Sequence, residues 1–105
     1  MTPKVGEVYM IDLGMAGKLR PTVIVSREDP NAPRTLAVAV PLSHENRGSK
    51  YEVKMPRVPW LKLQSFANVQ GINSVENHEL MDKRGRSEPA IVRQIRDAIQ
   101  WALEI

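Results

Sequence analysis

Between Pro21 and Ser26 the chain runs Pro-Thr-Val-Ile-Val-Ser, a β-branched stretch with almost no residue that favours a helix. A strand that is apolar at consecutive positions, rather than at every second one, is expected to be buried on both faces. The chain has 105 residues. That is near the common size of one domain and too short for two independent cores, so residues 1–105 are read as a single domain.

The flanking segments supply further strands. Gly6–Leu13 alternates, with Val8, Met10 and Asp12 on one face and Tyr9, Ile11 and Leu13 on the other, and Glu7 reads as exposed strand. Gly14–Lys18 is a turn, and Arg27–Arg34, with two prolines, is a loop. Thr35–Leu42 is a third strand, ended or bulged near Pro41 because proline cannot donate to a ladder. Ser43–Ser49 is a polar loop, Tyr51–Met55 a half-exposed strand that Pro56–Pro59 breaks, and Phe66–Ile72 a strand with a bulge or bend at Gly71. The tail changes period. Ser87 is the N-cap candidate, Glu88 and Pro89 suit a first turn, and Ile91, Ile95, Ala98, Ile99 and Ala102 form one apolar stripe. Five or six strands closed by one amphipathic helix define a mainly β (α+β) fold, a small curled sheet or barrel.

Several classes of function drop out. With no cysteine there are no disulfides, thiolate metal sites or cysteine nucleophiles. His44 and His78 lie far apart and form no paired-ligand spacing, so no metal and no other cofactor is expected. The longest apolar runs are about five residues, against the roughly 20 that cross a bilayer. The first residues lack an apolar signal core, so a soluble, cytoplasmic protein without membrane association is expected. The formal charge is +3 and the isoelectric point about 9.5, and nine of the fifteen basic residues are arginine. That balance fits a nucleic-acid partner, because the planar guanidinium suits phosphates and stacked bases.

The order of motifs is more specific than the composition. Gly6-Glu7-Val8-Tyr9, Asp12-Leu13, a short glycine loop, Lys18-Leu19-Arg20-Pro21, a β-branched strand ending in Ser26 and then Val40-Pro41-Leu42-Ser43 resemble the MazF/PemK family of toxin endoribonucleases. Gly48, Tyr51-Glu52-Val53, Ser65, Val69-Gln70-Gly71-Ile72 and the closing helix extend the resemblance over nearly the whole chain. It implies an SH3-like curled β-barrel of the MazF, CcdB and PemK kind, usually a homodimer. The implied activity is metal-independent cleavage of single-stranded RNA, in which the RNA's own 2′-hydroxyl attacks and leaves a 2′,3′-cyclic phosphate. The implied partners are RNA and a cognate antitoxin protein, with DNA met only through the toxin–antitoxin complex. The glycine loop is shorter than in many family members, which bears on the cleavage sequence.

That chemistry calls for a cation on the phosphoryl oxygens and an acid/base group. On the resemblance, Arg20 supplies the cation, held by Pro21 at the start of a stiff strand. Ser43 stands where the family usually has threonine; its hydroxyl is either a phosphate contact or the closure of a turn. His44 is either an acid/base group or an exposed loop histidine. Lys18, Arg47 and Lys50 are groove cations or a solvated basic loop. Asn68 and Gln70 have amides that read base edges, or simply face solvent. Tyr9 and Phe66 read as core, Trp60 as an interface or a base platform, and Asp12 as a charge partner of Arg20 or Lys18 or a turn cap. Two alternatives stand beside the nuclease. One is a CcdB-like toxin acting on gyrase through Trp101, and the other a degenerate, non-catalytic SH3-like binding module.

Overall fold

A computed structural model describes residues 2–12 and 19–105. Leu13 and the turn expected at Gly14–Lys18, with the candidate cation Lys18, lie outside the described residues. The elements are β1 (Glu7–Asp12), β2 (Leu19–Ile24), β3 (Leu36–Ser43), β4 (Glu52–Lys54), β5 (Phe66–Asn68), β6 (Asn73–Glu76), β7 (Lys83–Arg86) and α1 (Pro89–Leu103). The strands form one antiparallel sheet in the order β4-β5-β3-β2-β1-β7, with β6 also paired to β3. The sheet curls into a half-barrel, and α1 closes one side.

Burial on both faces of β2 is observed. Val23 packs with Val8, Val40, Leu42, Met55, Ala67 and Ile95 of α1. Its neighbour Ile24 packs on the opposite face with Tyr9, Ile11, Ala39, Val75 and Leu80. The period-two alternation of β1, with Val8 in one cluster and Tyr9 and Ile11 in the other, thus sorts side chains between two apolar layers rather than between core and solvent. Phe66, expected in the core, is only half-buried.

Four expectations need correction. Pro41 does not end β3, which runs on to Ser43. Instead the strand changes partner around it: residues 36–39 pair with β6, and Leu42 and Ser43 pair with β5. The expected strand Phe66–Ile72 is β5 followed by a 3₁₀ turn at Val69–Gly71, which bridges that change of partner. A Cβ on Gly71 would sit 2.7 Å from Pro41 Cγ, so glycine there lets the turn lie against the proline ring. Ser87 is not the N-cap of α1; Glu88 holds that position, with Pro89 in the first turn. Glu7 is buried, at 5% exposure.

Glu7 is the polar anchor of the β1–β7 seam. Its carboxylate accepts from the Lys4 amide at 2.7 Å and the Tyr9 hydroxyl at 3.0 Å, and pairs with Lys83 Nζ at 2.6 Å. Here lies the reason that the polar Lys83-Arg84-Gly85-Arg86, which carries no strand signal, forms β7. Its backbone fills the free edge of β1, Lys83 neutralises Glu7, and Gly85 leaves room for the Trp60 ring, which would lie 2.4 Å from an added Cβ. Burial pushes the Glu7 carboxyl up, but hydrogen bonds from Lys83, the Lys4 amide and Tyr9, with the Lys83 charge, outweigh it and hold the group below its ordinary range. Burial and the Glu7 charge raise the Tyr9 phenol to about 12.

A carboxylate whose pKa is depressed by folding stabilises the native state above its unfolded pKa and loses that contribution as pH falls through the folded value. Glu7→Gln is therefore expected to lower unfolding stability at pH 7 by about 2 kcal/mol, by leaving Lys83 without its counter-charge and turning one of the two acceptor oxygens into a donor amide. It should also flatten the acid limb of the stability curve below about pH 4. Denaturant titrations at pH 7 and pH 3 check both, and parallel acid limbs for the two proteins would contradict this account.

Candidate active site

The β2–β3 ladder pairs Ile24 with Ala39, Val23 with Val40 and Thr22 with Pro41. It stops at Thr22–Pro41, where Pro21 and Pro41 both lack an N–H. Ser43, two residues beyond Pro41, pairs instead with Phe66 of β5. Arg20 and His44 line one open cavity of ≈ 380 Å³, together with Leu19, Pro21 and Leu42. Arg20 is half-buried, and among the described residues no carboxylate pairs with it. Asp12 faces Leu19 across the β1–β2 ladder, one position from Arg20.

Ser43 lies beside that cavity, not on its wall. Its Oγ accepts the Glu45 amide at 3.1 Å, so the turn reading of this serine is observed. The bond uses a lone pair and leaves the hydroxyl proton available to a further acceptor.

A second cavity of ≈ 290 Å³ shares Leu19, Pro21 and His44 with the first and extends to Trp60, Lys62 and Arg84. His44 thus lines both hollows. Trp60, packed on Gly85, forms part of the wall, and Arg84 is held by Asp82 at 2.9 Å. The Trp60–Arg84 wall is illegible in sequence because it depends on β7, the strand with no apolar signal.

The loop after Ser43 is organised by Glu52, whose role the residue pattern does not announce. Its carboxylate accepts from the Arg47 amide at 3.0 and 3.1 Å and from the Ser49 amide and hydroxyl at 3.0 and 2.9 Å. Those bonds, the Ser49 amide foremost, then the Arg47 amide, hold the carboxyl below its ordinary range. The Arg47 side chain meets Glu45 at 3.1 Å on an open surface, where such a pair contributes little. Lys50 sits with Nζ 5.6 Å from the Trp101 ring centroid, and Tyr51 meets the same ring edge-on at 4.8 Å. Trp101 thus braces the loop from α1 while its own ring stays 46% exposed. Of the two amides, Asn68 caps the 3₁₀ turn by accepting the Gln70 amide at 3.1 Å, while the Gln70 side chain is exposed.

An arginine with no carboxylate partner among the described residues and a histidine thus share one open cavity, where the central β2–β3 ladder of a half-barrel ends at two prolines. The sequence and the fold identify the relatives. Residues 4–103 match the model of the PemK-like, MazF-like toxin of type II toxin–antitoxin systems, and the chain belongs to that family. It is similar to a mycobacterial endoribonuclease solved with its cognate antitoxin, at 31% identity over 98% of this chain and 96% of that one, TM-score 0.86. Another mycobacterial endoribonuclease is 30% identical over 100% and 94%, TM-score 0.82. MazF from Deinococcus radiodurans shares the fold alone, at 16% identity over 100% and 99%, TM-score 0.83. No described helix is long and apolar enough to cross a membrane.

Replacing Glu52 with glutamine removes the charge that gathers the Arg47 and Ser49 amides. Faster hydrogen exchange is expected at these two amides, with little change in melting temperature because the loop is exposed. Since folding depresses this carboxyl, the wild type should reproduce the loosening only when pH falls below the ordinary carboxylate range. Unchanged amide protection in Glu52→Gln would show that the loop holds itself.

Proposed function

We propose that this chain is the RNA-cleaving toxin of its pair, a cytoplasmic single-domain endoribonuclease that cuts single-stranded RNA without a metal. The observation that carries the reading is the placement of Arg20 and His44 on one cavity, with Ser43 at the end of β3 directly before His44. Family membership and the two endoribonuclease relatives support it.

In the proposed reaction the ribose 2′-oxygen forms a bond to the adjacent phosphorus while the bond from phosphorus to the 5′-oxygen breaks. The products are a 2′,3′-cyclic phosphate and a free 5′-hydroxyl. The 2′-hydroxyl proton must be taken up and a proton delivered to the leaving oxygen. His44 has the chemistry for one of these transfers. A guanidinium stays protonated at neutral pH, so Arg20 acts as the fixed fork on the non-bridging oxygens, where negative charge grows in the transition state. Ser43, its oxygen held by the Glu45 amide, donates its proton to the same phosphoryl group. Lys50 and Arg47 lie on the loop that leaves the site and would meet flanking phosphates, as would Lys18. Gln70 offers an exposed amide to a base, whereas the Asn68 oxygen is already committed to its cap.

The working form is proposed to be a homodimer, with the half-exposed Leu19, Leu63 and Met81 available for a partner copy. A cognate antitoxin would block the groove by presenting acidic side chains to the same cations, so its affinity should fall with salt. No observation favours the gyrase-directed reading; Trp101 lies on α1, where it meets Tyr51 and Lys50.

Arg20→Ala is expected to slow cleavage of a defined single-stranded RNA by about 10²–10³-fold with the melting temperature unchanged. Full activity in a folded Arg20→Ala protein would overturn the assignment. Ser43→Thr should retain activity and Ser43→Ala should lose most of it. Equal rates for wild type and Ser43→Ala would reduce the serine to a turn residue. Chelator should leave the wild-type rate as it is.

A further inference from the structure

The N-terminus of α1 opens on a different cavity, of ≈ 660 Å³, that shares no lining residue with the Arg20 site. Arg86 at the end of β7 and Arg93 and Arg96 on α1 converge on it. All three side chains are exposed, and none forms an ion pair with a described residue. Arg47, Lys83 and Arg84, by contrast, each have a carboxylate within 3.1 Å. Glu88 is the one carboxylate on the rim and makes no capping bond, so the lining carries three positive charges against one negative.

The helix end itself is unfinished. Its first turn has no acidic residue, and Arg86 and Arg93 stand near the positive end of the helix dipole, where cations are disfavoured. The Ala90 amide, in the first turn, has no acceptor within the helix. Ser87 lines the same cavity, is 93% buried by its 7% exposure, and its Oγ has no hydrogen-bond partner. Unpaired like charges, an uncapped helix N-terminus and an orphaned buried hydroxyl are each unfavourable alone. One oxyanion in the cavity would answer all of them.

We propose that this cavity is a second phosphate-binding site, separate from the cleavage groove. Arg86, Arg93 and Arg96 supply charge-assisted hydrogen bonds, the Ala90 amide and the helix dipole add to them, and Ser87 completes the set with its hydroxyl. The ligand chemistry is a phosphate group, met either as the free ion or as a phosphodiester of a nucleic-acid backbone.

Amide and side-chain NMR of the intact protein, titrated with inorganic phosphate at an ionic strength held constant with chloride, tests the site. Saturable shifts are expected at Ser87, Ala90 and Ile91. The double variant Arg93→Gln/Arg96→Gln should bind roughly tenfold or more weakly, and Ser87→Ala about threefold more weakly. Both should keep the wild-type melting temperature, which separates lost binding from lost folding. Shifts that do not saturate, that chloride reproduces, or that persist unweakened in the double variant would overturn the proposal. An uncleavable 2′-O-methyl oligonucleotide then separates the two sources. Competition with phosphate for the same amides assigns the site to a nucleic-acid backbone, and phosphate binding that the oligonucleotide leaves untouched assigns it to the free ion. The readout is binding, so it stands whether or not Arg20 proves to be needed for cleavage.

Discussion

Pro41 can give neither neighbouring strand an N–H, and Pro21 on the adjacent strand has the same defect. On one side of β3 the gap is bridged by the Val69–Gly71 turn, where glycine admits the proline ring, and the partner changes from β6 to β5. On the other side the β2–β3 ladder ends, and the cavity holding Arg20 and His44 opens at that end. A continuous ladder would have left no concave site among the central strands. Missing donors that weaken a sheet therefore determine where this one opens into a concave cavity.

Around that opening, carboxylates and cations are sorted by task. Glu7 and Glu52 collect donors from the chain itself, and both have lowered pKa values because those bonds favour the charged form. One ties the seam between β1 and β7; the other shapes the loop after Ser43. Arg20 has no such carboxylate among the described residues. An arginine already neutralised by an internal partner would have to exchange that partner for a phosphate, so leaving it unpaired is what makes it available. Its half-burial against Pro21 and Leu42 limits the freedom lost when an anion binds.

Much of this was legible in the residues, and what was not has definite causes. The two-faced burial of β2, the alternation of β1 and the apolar stripe of α1 follow from side-chain period, a strong signal. β7 escaped because it is held by the free edge of β1 and by the Glu7–Lys83 pair, neither of which leaves an apolar pattern. The buried state of Glu7 is invisible for the same reason: one glutamate at a strand start looks like any exposed one until its three donors arrive from elsewhere. Ser87 looked like a cap because serine favours that position, but Pro89 and the approach of Gly6, whose carbonyl accepts the Ser87 N–H at 2.7 Å, shift the helix start to Glu88. At the proposed site, motif order pointed to Arg20 and Ser43 and the chemistry of the next residue to His44, while the clamp by Glu52 and the wall from Trp60 to Arg84 appear only in three dimensions.

The serine at position 43 shows how a local contact can stand in for a missing atom. A threonine's methyl group restricts χ1 and so fixes where the hydroxyl points. Serine lacks that restriction, and a free serine rotor would spend part of its time turned from any phosphate. Here the Glu45 amide, donating to Oγ at 3.1 Å, restricts the rotor from outside. Glu45 is itself two residues from Arg47, whose amide Glu52 gathers, so the restriction extends through the loop to β4. The contact orients the oxygen without consuming the proton, which is the half of the hydroxyl that a phosphoryl oxygen requires. Loss of the methyl is thereby offset by backbone geometry, and the substitution is compatible with the chemistry proposed for this position.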